Sequence, residues 1–275
     1  MIPFDFDYYR PDTLEELSNL MKQLVIENKS PVYYGGGTEI ISMARADSIR
    51  FDSVIDIKEI PECNILRIEN NVLILGSAVT LTLIAESGLY PLLGETVTRI
   101  ADHTIQDKIT IGGNIAGTII YREAALPLML TSSRVKIMTE SGGLQEVSFS
   151  SVFDGRLQLK KGECILQFLI DQSDLNLPYN HVKKTKIDKI DYPILSFSAI
   201  KKENAIHAAV SGLSQHPFLL NDSILNDINV PVSKRIENMI ASVQDKIMND
   251  LSGSKGYRIF MLTNVLRQMY DNFKE

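Results

Sequence analysis

The sequence predicts an α+β protein, and three observations carry that reading. Strand-like and helix-like segments are mixed along the chain without a steady strand–helix–strand alternation. Two glycine-rich turns, at 35–38 and 110–116, sit among apolar residues. Near the C-terminus, paired strand-like runs precede two stretches with helical spacing of apolar residues. A chain of 275 residues suffices for one large or two modest domains. With 44% hydrophobic and 23% charged residues, it has an ordinary globular composition. A net charge of −6 argues against nucleic acid as a partner. No run approaches the ~20 apolar residues of a membrane span. The first residues lack the basic segment and apolar run of a signal peptide, so a cytoplasmic location is expected.

Residues 12–28 read as a helix. Thr13 with Glu16 three residues on fits a capping box. Leu14, Leu17, Met21, Leu24 and Val25 fall on one face, and Asn28-Lys29-Ser30-Pro31 ends it. Pro31-Val32-Tyr33-Tyr34 reads as a strand that runs into Gly35-Gly36-Gly37-Thr38, and residues 39–44 begin a short helix. Residues 53–57 and 72–75 are strand-like. Short helices are expected at 80–87 and 94–102, and a buried one at 124–130. Segments 135–139 and 145–149 flank Ser141-Gly142-Gly143, a hairpin signal, and 165–170 is a further strand. Residues 172–193 are polar, with Lys183, Lys184, Lys186 and Lys189 interleaved with Asp188 and Asp191, and the inter-domain connection is placed near 172–176. Beyond it, 194–200 and 205–210 read as paired strands. Ile236, Met239, Ile240, Val243 and Ile247 have helical spacing, as do Tyr257, Met261, Val265 and Met269.

The glycine turns carry the chemistry. In Gly35-Gly36-Gly37-Thr38 the backbone can approach a ligand with no Cβ in the way, and successive N–H groups before a helix start favour phosphate oxygens. The same pattern also serves as a plain tight turn. It is not GxGxxG, and no acid follows at a Rossmann offset. Thr110-Ile111-Gly112-Gly113-Asn114-Ile115-Ala116 is either a second close-approach site or a strand bend. Two such turns from different sub-domains suit the middle of a dinucleotide. The two cysteines, Cys63 and Cys164, cannot ligate an iron–sulfur cluster and read as small hydrophobes. The four histidines show no close metal-ligand spacing. Any redox chemistry must therefore ride on an organic cofactor. The lysine set reads as a solvated loop, with Lys183 the exception. Glu39 reads equally as a helix-dipole cap or a cofactor contact. Tyr33 and Tyr34 read as packing residues, His103 as structural, and Tyr257 and Arg258 as structural or interface residues.

In order and context these motifs resemble the FAD-binding subunit of molybdenum hydroxylases, the group that includes the flavin subunits of xanthine dehydrogenase and carbon monoxide dehydrogenase. The resemblance covers essentially the whole chain. It runs from Phe6-Asp7-Tyr8-Tyr9-Arg10-Pro11 through Gly35-Gly36-Gly37-Thr38-Glu39-Ile40 and Val54-Ile55-Asp56-Ile57. It continues through Leu75-Gly76-Ser77-Ala78-Val79-Thr80 and the second glycine turn to Asp250-Leu251-Ser252-Gly253-Ser254-Lys255-Gly256-Tyr257-Arg258.

The resemblance implies an FAD-binding domain of the vanillyl-alcohol-oxidase/molybdopterin-dehydrogenase type over 1–172, with subdomains at about 1–58 and 59–172. A small α+β domain at 176–275 would follow. It implies that Gly35, Gly36, Gly37 and Thr38 hold the pyrophosphate, with Glu39 and Ile40 beside them. Thr110, Ile111, Gly112, Gly113 and Asn114 would form the second contact, toward pyrophosphate and ribityl. Glu123, where the family usually has Asp, would bind sugar or ribityl hydroxyls. Ile165 would pack near the isoalloxazine, and Lys183 and Asp191 would flank the flavin edge. It assigns no catalytic residue and no metal ligand to this chain. Departures from the family pattern fall at Ile105-Gln106-Asp107, at Thr118-Ile119-Ile120-Tyr121-Arg122 and around Lys186-Ile187.

The function implied is electron relay from iron–sulfur clusters through FAD to NAD+ or another acceptor. The molybdopterin-binding large subunit and the iron–sulfur small subunit would be partner chains carrying the molybdenum cofactor and [2Fe–2S] clusters. The rival readings are a stand-alone FAD oxidoreductase acting on a small molecule and a flavin-less assembly subunit.

Overall fold

The computed structural model describes residues 1–187 and 190–274; Asp188 and Lys189, two members of the polar run, lie outside the described residues. Its strands are β1 (Asp7–Tyr9), β2 (Pro31–Tyr34), β3 (Ser53–Asp56), β4 (Leu66–Glu69), β5 (Val72–Gly76), β6 (Arg134–Met138), β7 (Leu144–Ser148), β8 (Cys164–Asp171), β9 (Tyr179–Thr185), β10 (Pro193–Lys202), β11 (Ala205–Ser211) and β12 (Phe218–Leu219). They form three sheets, ordered β1-β3-β2, β4-β5-β8-β6-β7 and β12-β11-β10-β9.

The first sheet is parallel throughout, so helices must carry the chain back between its strands. Helix Leu14–Ile26 joins β1 to β2, and helix Thr38–Arg45 joins β2 to β3. The first of these is capped as the sequence predicts: Thr13 accepts a hydrogen bond from the Glu16 N–H. Glu16 returns the bond to the Asp12 N–H, one residue before the cap. Leu17, Met21 and Leu24 are buried against Ile55 of the first sheet and Met138, Cys164 and Leu166 of the second. Removing each such side chain from water is worth about 1.5–3 kcal/mol, which fixes the helix between the two sheets. Val25 departs from the predicted face and is exposed, as is Ile26 after it, because the buried face is set by Leu17, Met21 and Leu24. The local βαβαβ alternation escapes sequence reading because β1 is a three-residue edge strand.

The second sheet is antiparallel, with the predicted hairpin at β6–β7. The expected helix at 94–102 instead starts with Pro91 in its first turn and ends at Val97. The third sheet is antiparallel and pairs β10 with β11 as predicted. The polar segment before it is not all loop: 179–185 is strand β9, paired along β10. Helices Val232–Val243 and Lys255–Phe273 pack over this sheet. Ile247 lies beyond the first of them, after a 3-10 turn. In the second, the buried face is Leu262, Val265, Leu266, Met269, Tyr270 and Phe273, while Tyr257 is exposed. The main core spans two sheets, since Ile200 and Ala209 of the third join the cluster built on β5, β6 and β8. Among the described residues no helix is long and apolar enough to cross a membrane.

Candidate functional site

Strand β2 delivers the chain to Gly35 and Gly36. Gly37 then takes φ +69°, a left-handed conformation that glycine adopts without strain. A Cβ on Gly37 would also lie 2.2 Å from the Tyr34 ring. Gly37 caps helix Thr38–Arg45 but offers no side chain to its N–H groups. The N–H groups of Thr38, Glu39 and Ile40 precede the first intrahelical bond, from Ile41 N to Gly37 O. The carbonyl of Gly35 is occupied, accepting a 3.1 Å bond from Lys58 Nζ. That lysine is itself set 2.6 Å from Asp56 Oδ2 and 4.2 Å over the Tyr34 ring. Burial pushes the Asp56 pKa up, but hydrogen bonds from Lys58 and Tyr8 outweigh it and hold the carboxylate below its ordinary range.

The second glycine turn is a helix N-terminus and not a strand bend. Thr110 is the cap of helix Ile111–Ala116, and its Oγ1 accepts from Gly113 N at 3.1 Å. The N–H groups of Ile111, Gly112 and Asn114 donate to Val79, Ser77 and Thr110 carbonyls. The two turns pack directly on each other. A Cβ on Gly35 would meet Thr110 Oγ1 at 2.6 Å, and one on Gly36 would overlap the Lys108 carbonyl oxygen at 1.4 Å. The absent side chains are therefore demanded first by turn-to-turn packing.

Beside the turns lies a cavity of about 1100 Å³, lined by Gly35, Gly36, Gly37, Thr38, Glu39, Ile40, Thr110, Gly113, Asn114, Glu123, Lys183 and Asp191, among others. This is slightly above the roughly 300–1,000 Å³ typical of ligand pockets and suits a dinucleotide. The structure thus brings together twelve of the sequence-predicted site residues. Ile111, Gly112 and Ile165 are not among the lining residues. Ile111 and Ile165 are buried in the main core, and Gly112 is pressed against Ser77, where a Cβ would come within 2.8 Å.

Glu123 and Lys183 form a buried ion pair at 2.9 Å. Lys183 Nζ also donates to the Arg99 carbonyl at 2.6 Å. Burial pushes the Glu123 pKa above the ordinary carboxyl range, with Lys183 opposing it. Glu123 Oε1 is buried and makes no hydrogen bond of ordinary geometry with the described residues, while the Ser196 hydroxyl, likewise unpaired, acts on the carboxyl and opposes the rise of its pKa. Asn114 Oδ1 accepts from Ala124 N at 3.3 Å, which fixes its amide beside this carboxyl. Glu39 does something neither sequence reading foresaw: its Oε1 accepts from Thr118 N at 2.7 Å, tying the first helix to the loop after the second. Asp191 accepts from Tyr192 N at 2.7 Å, and the Tyr192 ring stacks on Tyr121 with centroids 5.0 Å apart.

Tyr33 and Arg258 hold the scaffold, as read from sequence. Tyr33 donates to the Gly162 carbonyl at 2.8 Å, and burial pushes its pKa up. Arg258 is buried, bonded to the Ile194 and Gly212 carbonyls and to Asp250. His103 is exposed, between Glu86 and Asp107. Lys184 is exposed, and Lys186 reaches the Leu251 carbonyl at 2.8 Å. Among the described residues no group of three or more His, Cys, Asp or Glu is placed to hold a metal ion. Sequence reasoning missed Arg122, Tyr121 and Tyr192 as lining residues. The first two carry only one signal, their place in the departure at 118–122.

An uncapped helix start beside a second, self-capped one, over a cavity of this size lined by a buried carboxyl, fits a dinucleotide-binding α+β domain. Residues 4–171 match the model of the FAD binding domain in molybdopterin dehydrogenase, and the chain belongs to that family. It is 26% identical over 179 residues to the nicotinate dehydrogenase FAD-subunit of Eubacterium barkeri, covering 62% of this chain and 60% of that protein. It is 31% identical over 120 residues to the carbon monoxide dehydrogenase medium chain of Hydrogenophaga pseudoflava, covering 42% of this chain and 41% of that one. These matches thus span less than two thirds of the curated relatives' lengths. The fold matches a chain of the carbon monoxide dehydrogenase structure from Hydrogenophaga pseudoflava with a TM-score of 0.84 at 18% identity, covering 98% of this chain and 96% of that one. A chain of quinoline 2-oxidoreductase from Pseudomonas putida 86 matches with a TM-score of 0.81 at 16% identity, with the same coverage.

The residues present fit FAD. The first turn has helix-start N–H groups beyond the reach of intrahelical carbonyls, suited to phosphate. Glu123 brings to the cavity lining a carboxyl whose Oε1 makes no ordinary hydrogen bond with the described residues.

Proposed function

We propose that this chain is the FAD-binding electron-transfer subunit of a molybdopterin-dependent dehydrogenase complex, relaying electrons from iron–sulfur clusters on a partner chain to NAD+ or another acceptor. The named relatives are subunits of dehydrogenases, which supports an oxidoreductase assignment. The molybdopterin-binding large subunit and the iron–sulfur small subunit are the partners in this reading. Residues 1–172 act as the cofactor-binding part and 176–275 as the C-terminal domain. The observation that carries the reading is the uncapped helix start at Gly37–Ile40, opening on the same cavity as the buried Glu123 carboxyl.

Bound FAD supplies the electron-accepting and electron-donating chemistry. The chain's residues bind, orient and shield it. N–H groups of residues 36–40 hold the diphosphate, with the dipole of helix Thr38–Arg45 adding partial positive charge. Glu123 accepts hydrogen bonds from sugar or ribityl hydroxyls through Oε1, while Lys183 keeps its other oxygen fixed. Lys183, Asp191 and the Tyr121–Tyr192 stack line the part of the cavity assigned to the ring system.

The purified chain titrated with FAD in a calorimeter should bind one FAD per chain. The complex should show absorbance bands near ~370 and ~450 nm, the signature of a bound flavin. Failure to bind FAD would overturn the flavoprotein reading. Robust oxidation of an organic substrate by the pure chain would overturn the subunit reading in favour of a stand-alone oxidoreductase.

A further inference from the structure

Arg122 lines the cavity yet is 7% exposed. It also has φ +37°, a region that side-chain-bearing residues rarely adopt. Backbone strain of this kind persists only where surrounding structure or function holds it. The guanidinium is anchored by two carbonyls, with Nε donating to Gly117 O at 3.0 Å and Nη1 to Gly155 O at 3.2 Å. Among the described residues no carboxylate forms a salt bridge with it, and Nη2 has no protein acceptor. Glu39 is the carboxylate that acts on it through space, but its Oε1 is occupied by the Thr118 N–H. The other charge felt there is the like charge of Arg156. A largely buried guanidinium that only an unpaired carboxylate offsets from a distance is poorly compensated, so it can take a further anionic partner.

Arg122 is also tied to the first glycine turn. Its Nε holds Gly117 O, and the next residue, Thr118, is bonded to Glu39 in the first turn of helix Thr38–Arg45. An anion at that helix start lies beside the same short loop. The anionic group of a flavin dinucleotide is its diphosphate.

We propose that Arg122 holds a phosphate oxygen of the bound dinucleotide, acting with the backbone N–H groups of residues 36–40. The role rests on the FAD-binding reading above. Arginine suits it because the guanidinium stays charged and presents several donors in one plane. Two carbonyls aim the group in advance, so binding orders little that is not already ordered.

The test compares wild type with Arg122→Gln and Arg122→Lys, measuring binding of FAD, ADP and riboflavin by calorimetry and the melting temperature of the apo chain. Arg122→Gln should weaken FAD and ADP about 10- to 100-fold, the effect of losing a charge-assisted hydrogen bond. Riboflavin, which has no phosphate, should bind within about twofold of wild type. The apo melting temperature should hold or rise, because a poorly compensated cation has been removed. Arg122→Lys should retain most of the FAD affinity. Arg122→Gly suits the backbone at this position and carries the glutamine expectations should that variant fail to fold. Unchanged FAD and ADP affinity in Arg122→Gln would overturn the role while leaving the FAD reading intact. A lower apo melting temperature with riboflavin weakened as much as FAD would overturn it in favour of a structural strut. Wild type that binds neither FAD nor ADP would overturn both readings.

Discussion

The two glycine turns look alike in sequence and are built for opposite ends. At Gly35–Thr38 the strand ends in a left-handed glycine, and the helix that follows starts without a side-chain cap. At Thr110–Asn114 four successive N–H groups are spent on Val79, Ser77 and Thr110, and the turn is stitched to the second sheet. One turn keeps its donors for a ligand, and the other uses its donors to build the wall against which the first is pressed. Glycine content alone does not separate the two, because Gly35, Gly36 and Gly112 are all required by neighbouring protein atoms. The residue before the helix separates them. A threonine caps, while a glycine at the same place leaves the end open.

Substitutions can break that contrast. The largest effect is expected for Gly36→Ala, whose Cβ overlaps the Lys108 carbonyl oxygen at 1.4 Å. Backbone cannot swing aside as a side chain can, so the turns must separate, at about 3 kcal/mol or more. Denaturant unfolding should show the loss, and FAD binding should fall with it. A stable Gly36→Ala protein would mean that the turns are not in contact.

Thr110→Val removes the cap bond to Gly113 and the hydroxyl that faces Gly35, and should lower stability by about 1 kcal/mol, read as a shift in the urea midpoint. FAD affinity should fall less than tenfold, since this turn spends its donors internally. The smallest effect belongs to Gly113→Ala, where a Cβ would meet only Thr110 Oγ1, at 2.9 Å. Alanine's gain of up to about 1 kcal/mol within a helix offsets that contact, leaving stability within about 1 kcal/mol of wild type. Abolition of FAD binding by Gly113→Ala at unchanged stability would show both turns to be direct phosphate holders, and the contrast would collapse.

Much of the fold is legible because its signals are local. The capping pair Thr13 and Glu16, the Ser141-Gly142-Gly143 hairpin and the β10–β11 pair all lie within a few residues of their own evidence. The misses are cases where distant partners decide. The polar run around Lys183 and Lys184 reads as loop apart from Lys183 itself, yet 179–185 is strand β9, fixed by its pairing along β10. Tyr257 matches a helical spacing, but the register is set by Leu262 and Leu266 against the sheet. The site divides the same way. The lining glycines and Glu123 announce themselves in motifs, whereas Arg122 is marked only by its place in the departure at 118–122, because what makes it notable is that no carboxylate among the described residues pairs with it directly. Ile165 has the right neighbours in sequence, but its side chain points into the core.

The Lys183–Glu123 pair links the third sheet to the main core: Lys183 belongs to that sheet, and Glu123 precedes a helix of the core. A ligand that completes Glu123 Oε1 therefore reinforces the seam between them. By mass action, a ligand at one hundred times its dissociation constant adds about 2.7 kcal/mol to the folded state. The increment belongs to the whole folded chain, and the contacts through which it is gained include this link between sheet and core. Chain without bound cofactor would then be the less stable form, and the one more open to proteolysis.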